Sequence, residues 1–279
     1  MNRRAFLKPQ FIIGATCLSL VVLLAAFGNL LTPHDPNEQS LMNSLQPPFD
    51  WAEGYYLGSD QLGRDILARM VSGARVSLAI AGSVVLISGV VGVLIGSLSG
   101  YWGGWRDMLV QKVVETFWAF PPILLAIAIV ALFGQTLTNL VLALTIQRWI
   151  PYARLCRAQA LTLRSREFVS ASKIMGGGTL WILRRHIVPN LFASAIVIAT
   201  FSMATAIIAE ASLSFLGLGV PTETPTWGGM LSDGRSYITR AWWLAVFPGL
   251  GIFITVLGLN YLGDWLRDQL DPKDDLNLV

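Results

Sequence analysis

The chain has 279 residues, of which 54% are hydrophobic and only 13% charged, and its mean hydropathy is +0.58. Soluble domains carry about 25% charged residues, so this deficit excludes an ordinary soluble domain and points to a polytopic membrane protein. The net charge of +3 is small and no basic run is interleaved with aromatics, which leaves nucleic-acid binding without support; two distant cysteines and two distant histidines argue against a disulfide framework and a histidine-based metal site.

A spanning helix needs roughly 20 mostly apolar residues. Residues 11–31 qualify without a charge. The preceding Arg3-Arg4-Ala5-Phe6-Leu7-Lys8 resembles a twin-arginine export signal, but the later spans exclude export as a folded protein, so it reads as a positive flank. Residues 76–101 form a second span, in which Gly92 and Gly96 are spaced to let another helix approach closely. A third, 113–134, carries Glu115 near one end and Pro121-Pro122 within, which predicts a kink or freed carbonyls. After a polar turn at 135–139, residues 137–155 form a fourth, with Gln147 and Arg148 inside it. Residues 187–216, long enough to tilt or bend, and 241–263 complete six. With no strand alternation and no fixed repeat, the expected fold is an all-α bundle of six transmembrane helices, because in lipid only helices and closed barrels satisfy the backbone.

Orientation follows from the Lys/Arg bias. With the N-terminus in the cytoplasm, fourteen basic residues fall inside and five outside, with Arg148 in the membrane. Both termini are then cytoplasmic, and the largest cytoplasmic loop joins the fourth and fifth spans. Sizeable outer segments cover about 32–74 and 217–240.

That cytoplasmic loop has an internal design. Ser165 is placed to cap a helix starting near Arg166, with Glu167 in its first turn. Ala171 and Ser172 leave one side slim, Gly176-Gly177-Gly178 ends the helix, and Pro189 sits where a new helix begins. A slim helix can slot into a groove on a partner protein. Arg164, Arg166, Arg184 and Arg185 suit equally a helix lying on lipid headgroups. The residues alone leave both readings open.

Glu167, Ala171, Gly176 and Pro189 together resemble the EAA loop of ABC importer permeases, with Ser172 for the second alanine and Val188 for the usual leucine. His186-Ile187-Val188-Pro189-Asn190 is similar to the peptide and nickel branch. So are Leu57-Gly58-Ser59-Asp60-Gln61-Leu62-Gly63-Arg64-Asp65, Ala119-Phe120-Pro121 after Glu115, Glu210 to Gly219, Trp227-Gly228, and the tail from Gly263 through Arg267 to Pro272. The chain resembles the C-type permease subunit of a dipeptide, oligopeptide or nickel importer, over nearly its whole length.

The resemblance implies a type I ABC importer permease fold. Residues 1–74 would carry the first helix and an extracytoplasmic segment, 75–264 a five-helix core with the coupling loop at about 157–190, and 265–279 a cytoplasmic tail. It implies that Glu167, Ala171, Ser172, Gly176, Gly177 and Pro189 couple the chain to an ATPase. The implied partners are a second, non-identical permease, one or two ABC ATPase subunits that bind ATP and Mg, an extracytoplasmic solute-binding protein, and membrane lipid. The chain itself is expected to bind no cofactor or metal and to catalyse nothing: neither HExxH nor GxxxxGK[ST] occurs. Peptides are the default substrate and nickel the main alternative. A secondary transporter is the competing class, but neither a coupling-ion site nor an inverted repeat is visible.

Three intramembrane or near-membrane charges invite a functional reading. Arg148, roughly 16 Å into its helix at 1.5 Å per residue, either meets a substrate carboxylate in the pathway or, the preferred reading, is structural, pairing with a carboxylate on a neighbouring helix or snorkelling. Glu210 either meets an incoming ammonium group or, the preferred reading, supports the turn over 212–219. Glu115 is expected to pair with Lys112 or another nearby base.

Overall fold

The computed structural model describes residues 6–49 and 54–270. Arg3, Arg4 and Lys273, and the end of the tail motif at Asp271 and Pro272, lie outside the described residues. Within them the chain is helical: α1 (Pro9–Phe27), α2 (Ile66–Trp102), α3 (Gly104–Trp118), α4 (Pro122–Phe133), α5 (Leu137–Leu163), α6 (Glu167–Ile174), α7 (Thr179–Ile182), α8 (Val188–Phe215), α9 (Trp227–Gly234) and α10 (Trp243–Leu270). Between the described residues, strand pairing is limited to a single bridge, Ser59 with Asp65. Helices Pro9–Leu30, Ile66–Trp102, Thr179–Phe215 and Trp243–Leu270 are long and apolar enough to cross a membrane, and α3 with α4 makes a fifth candidate as a bent pair.

The helices overrun their apolar cores. α2 starts at Ile66, where Asp65 caps it by accepting from the Leu67 and Ala68 amides at 3.1 and 3.2 Å. The side-chain cap adds stability that hydropathy does not register. The divisions at 74/75 and 264/265 therefore fall inside α2 and α10.

Residues 113–134 do not form one helix. The axis turns by 80° between α3 and α4. Pro121 has no amide hydrogen and disfavours helical backbone at Phe120, so the helix stops there and restarts at Pro122. The carbonyls freed by the break are taken up by Gln147 Nε2, which donates to Phe117 O at 2.7 Å and Phe120 O at 3.0 Å. Proline thus both bends the chain and exposes carbonyls, and the polar residue in α5 answers them.

α2 and α5 run parallel and nearly touch. A Cβ on Gly96 would lie 2.8 Å from Ala153 Cα, one on Gly92 2.5 Å from Tyr152 Cβ, and one on Gly100 2.9 Å from Ala160 Cβ. The stripe at four-residue spacing is what brings the two backbones together. The α3–α4 pair returns the chain between these parallel helices. Around this axis Ile80, Val84, Ala126, Leu140, Ile207 and Leu259 form the central core, drawn from α2, α4, α5, α8 and α10. α1 packs antiparallel on α10, with Phe11 against Trp265 and Lys8 3.9 Å from Asp268 at one end.

Candidate functional site

The loop between α5 and α8 folds into a short helical hairpin. α6 begins at Glu167, one residue later than expected, and Ser165 does not cap it. Ser165 Oγ instead donates to Thr162 O at 2.9 Å, bonding back onto the end of α5, and Arg166 occupies the cap position with extended backbone and no side-chain bond. α6 ends on Gly176 at φ +86°, with the Gly177 amide returning to Ser172 O at 2.9 Å. This is the left-handed helix stop that glycine adopts without a Cβ penalty.

The two small residues face opposite ways. Ala171 lies on the exposed side with Glu167, while Ser172 is buried on the inner side next to Val169. Val169 packs with Tyr101, Cys156, Ile182, Ile187 and Leu191, which seats α6 on the ends of α2, α5 and α8. Ser172 Oγ donates to Phe168 O at 2.8 Å and lies 3.0 Å from His186 Nε2. With the hydroxyl hydrogen committed to the carbonyl, the imidazole is the donor in the second bond. The His186 ring is flanked by Trp181 at 5.1 Å and Phe168 at 5.7 Å. Lys173 lies 5.0 Å over the Tyr101 ring.

Pro189 sits at the start of α8, directly after a π-turn over Leu183–Ile187. Proline contributes no amide hydrogen to the ladder there, and the wider turn spaces the carbonyls around it. Asn190 Nδ2 donates to His186 O at 2.6 Å. The outer surface of the hairpin mixes charge with large apolar groups: Ile174 is 87% exposed, Phe168, Met175, Leu180 and Trp181 are exposed beside it, and so are Glu167, Lys173, Arg184 and Arg185.

Arg148 makes no carboxylate pair among the described residues. It donates from Nη1 to Thr205 Oγ1 at 2.7 Å and from Nη2 to Thr205 O at 2.9 Å, linking α5 to α8. It lines a cavity of about 440 Å³ with Trp118, Phe120, Ile123, Ala209 and Leu213. Glu210 is buried and accepts from Ser214 Oγ at 2.8 Å, one helical turn on, where α8 ends before Gly217. That contact lies at the turn expected of it. Glu115 is exposed and joins no ion pair among the described residues, so the expected partner Lys112 is not its partner. The Lys112 carbonyl accepts from Thr116 Oγ1, four residues on, at 2.8 Å.

Two ionic clusters escaped sequence reasoning. At the α2 start, Arg64 Nε meets Asp60 Oδ2 at 2.6 Å, Arg69 Nε lies 3.7 Å from the same oxygen, and Asp233 of α9 closes the group at 3.5 and 3.9 Å. Arg64, Arg69 and Asp60 are all buried. Burial pushes the Asp233 carboxyl up, against the pull of Arg69 and Arg64. At the other end, Arg157 grips Asp107 through two bonds of 2.6 Å, and Ser99 donates to the same carboxylate. The Asp60–Arg64 pair was legible as an i,i+4 spacing inside a recognised motif; Asp107 and Arg157 are too far apart in sequence to be matched. Trp227 and Trp243 are structural in the same region, donating to Met70 O and Ser59 O at 3.1 Å each.

A bundle of long apolar helices, one of them broken at a proline pair, with a helical hairpin seated on one end, defines a multi-pass membrane protein. Residues 92–274 match the family of binding-protein-dependent transport system inner membrane components, and residues 3–48 match the N-terminal transmembrane domain of oligopeptide transport permease C. The chain is 44% identical over 264 residues to the di/tripeptide transport system permease protein DppC of Pseudomonas aeruginosa (93% of this chain, 87% of the relative). It is 39% identical over 261 residues to the oligopeptide transport system permease protein OppC of Bacillus subtilis (94% and 85%). It is 41% identical over 262 residues to the glutathione transport system permease protein GsiD of Escherichia coli (93% and 85%). The chain belongs to the family of binding-protein-dependent transport system inner membrane components and is a multi-pass membrane permease.

Proposed function

We propose that this chain forms half of the translocation pathway of an ATP-driven importer of small peptides. A second, non-identical permease supplies the other half, one or two ATPase subunits bind ATP and Mg, and an extracytoplasmic binding protein delivers the peptide. The chain is the non-catalytic subunit of that assembly. Relatives named for di- and tripeptide, oligopeptide and glutathione transport support peptides over nickel as the cargo.

The observation that carries the coupling role is the α6 hairpin. Its inner face, through Val169 and Ser172, is fixed to the ends of α2, α5 and α8, while Phe168, Ile174, Met175 and Trp181 remain exposed on its outer side among the described residues. A groove in the ATPase that closes on ATP would push α6, and the push would reach α8 through His186. Glu167, Ala171, Gly176, Gly177 and Pro189 serve this device as exposed contact, slim face, stop and restart.

Six spans, with the described ends of the chain at Phe6 and Leu270 on the α6 side, agree with α1 packing antiparallel on α10. α5 is about 40 Å long at 1.5 Å per residue, parallel to α2, and misses the hydropathy of a span because of Gln147, Arg148, Arg154 and Arg157. The 32–65 segment and α9 then lie outside, where the binding protein docks.

The test is Ile174→Asp combined with Met175→Ser in the full complex. These exposed sites leave the bundle core untouched. The expected result is an intact permease pair that no longer retains the ATPase subunits and has lost binding-protein-stimulated ATP hydrolysis. Normal retention and normal stimulation would overturn the assignment of α6.

A further inference from the structure

We propose that Arg148 and its cavity form a carboxylate-binding site in the translocation pathway, which takes the C-terminal carboxylate of a small peptide. The inference rests on the peptide-importer reading above and deepens it.

A guanidinium within a membrane-spanning helix is costly unless its charge and donors are answered. Arg148 has five N–H donors, and among the described residues only two are answered, both by neutral oxygens of Thr205. No ion pair forms with it among the described residues. A purely structural arginine at this depth would be expected to have a carboxylate beside it.

The group is also held in place. Thr205 Oγ1 donates its own hydrogen to Ser202 O at 3.1 Å, so a lone pair faces Nη1. The neighbouring Gln147 lines the same cavity, but its amide nitrogen is occupied by Phe117 O and Phe120 O. That leaves the guanidinium as the unspent strong donor on a cavity of about 440 Å³, within the roughly 300–1,000 Å³ common for small-molecule sites. Apart from Gln147, the rest of the wall, with Trp118, Phe120, Ile123, Ala126 and Leu213, is aromatic or aliphatic, and it carries no acid. Such a wall accepts apolar side chains and repels nothing anionic. A carboxylate is the planar anion that a guanidinium fork binds best.

The test compares uptake of one dipeptide and its C-terminal amide by proteoliposomes holding the complete transporter and binding protein, for wild type and R148Q. The binding protein is the same in both, so its own selectivity cancels in the ratio of acid to amide uptake. The expected result is a ratio at least about tenfold lower in R148Q, the loss of one charge-assisted bond. An unchanged ratio in an active R148Q complex overturns the site. Wild-type complex without ATP-dependent uptake of either peptide would instead overturn the importer reading. If R148Q fails to assemble, R148K and T205V decide: the first keeps a cation without the fork, the second keeps the fork without its tether. A fallen ratio in either supports the site, and an unchanged ratio in both sinks it.

Discussion

The closest approach in the bundle gives the sharpest stability test. Replacing Gly96 with alanine places a methyl group 2.8 Å from Ala153 Cα and 2.9 Å from Ala153 C, and nearer still to the Ala153 carbonyl oxygen. These are backbone atoms of α5 and have no rotamer by which to escape. An ordinary carbon contact is about 3.5–4.0 Å, so α2 and α5 must part locally by close to 1 Å. A gap of that size forfeits roughly a quarter to a half of each neighbouring dispersion contact, and overpacking in cores costs about 1–3 kcal/mol. Gly82, in the same helix, has nothing within 4 Å of its would-be Cβ. There alanine removes only backbone freedom, and the expected change is neutral or stabilising by up to about 1 kcal/mol. The assay is thermal unfolding of the detergent-solubilised transporter for G96A, G82A and wild type side by side. At about 2–4 °C per kcal/mol for a chain of this size, G96A should melt several degrees below wild type and G82A at or above it. Equal midpoints for G96A and G82A would refute the view that the glycine stripe sets the α2–α5 distance.

Three other outcomes are expected. Asp60→Asn strips the buried Arg64 and Arg69 of their nearest counter-charge, and breaking such a pair costs about 3–5 kcal/mol; denaturation of the solubilised complex should show it, whereas a midpoint within error of wild type would mean that water already solvates the cluster. Gly176→Val forces a β-branched residue to φ +86°, at a cost of about 1–2 kcal/mol, and should lower peptide uptake per ATP hydrolysed while leaving the bundle's melting point unchanged. His186→Ala removes the donor to Ser172 and should also lower that ratio. Ser172→Ala in the H186A background should add little, because both act on one bond, and independent, additive losses would disconnect the latch from coupling.

The class of protein was legible in the chain because hydropathy is a one-dimensional property. Apolar runs of about 20 residues, the deficit of charge and the Lys/Arg bias need no neighbours to be read. The Gly92–Gly96 spacing foretold a close helix contact for the same reason: a four-residue period puts both on one face wherever the partner lies. The proline pair announced a disturbance, and the glycine run a helix stop, since each is a local backbone property.

What the sequence left open depended on partners distant along the chain. A kink at Pro121-Pro122 became an 80° turn, and Gln147, on another helix, donates to the Phe117 and Phe120 carbonyls beside it. Ser165 lost its capping role to the carbonyl of Thr162, and the successive residues Ala171 and Ser172 divide between the exposed side of α6 and the inner side that meets His186. Arg148 was expected to meet a carboxylate, and only the packing of α5 on α8 showed that Thr205 stands there instead. Apolar runs, basic bias and a glycine stop made the chain readable as a helical membrane permease with a helix stop between two spans. Which polar groups meet emerged only on folding, because hydrogen bonds and ion pairs act over a few ångströms of space and sequence distance does not measure that.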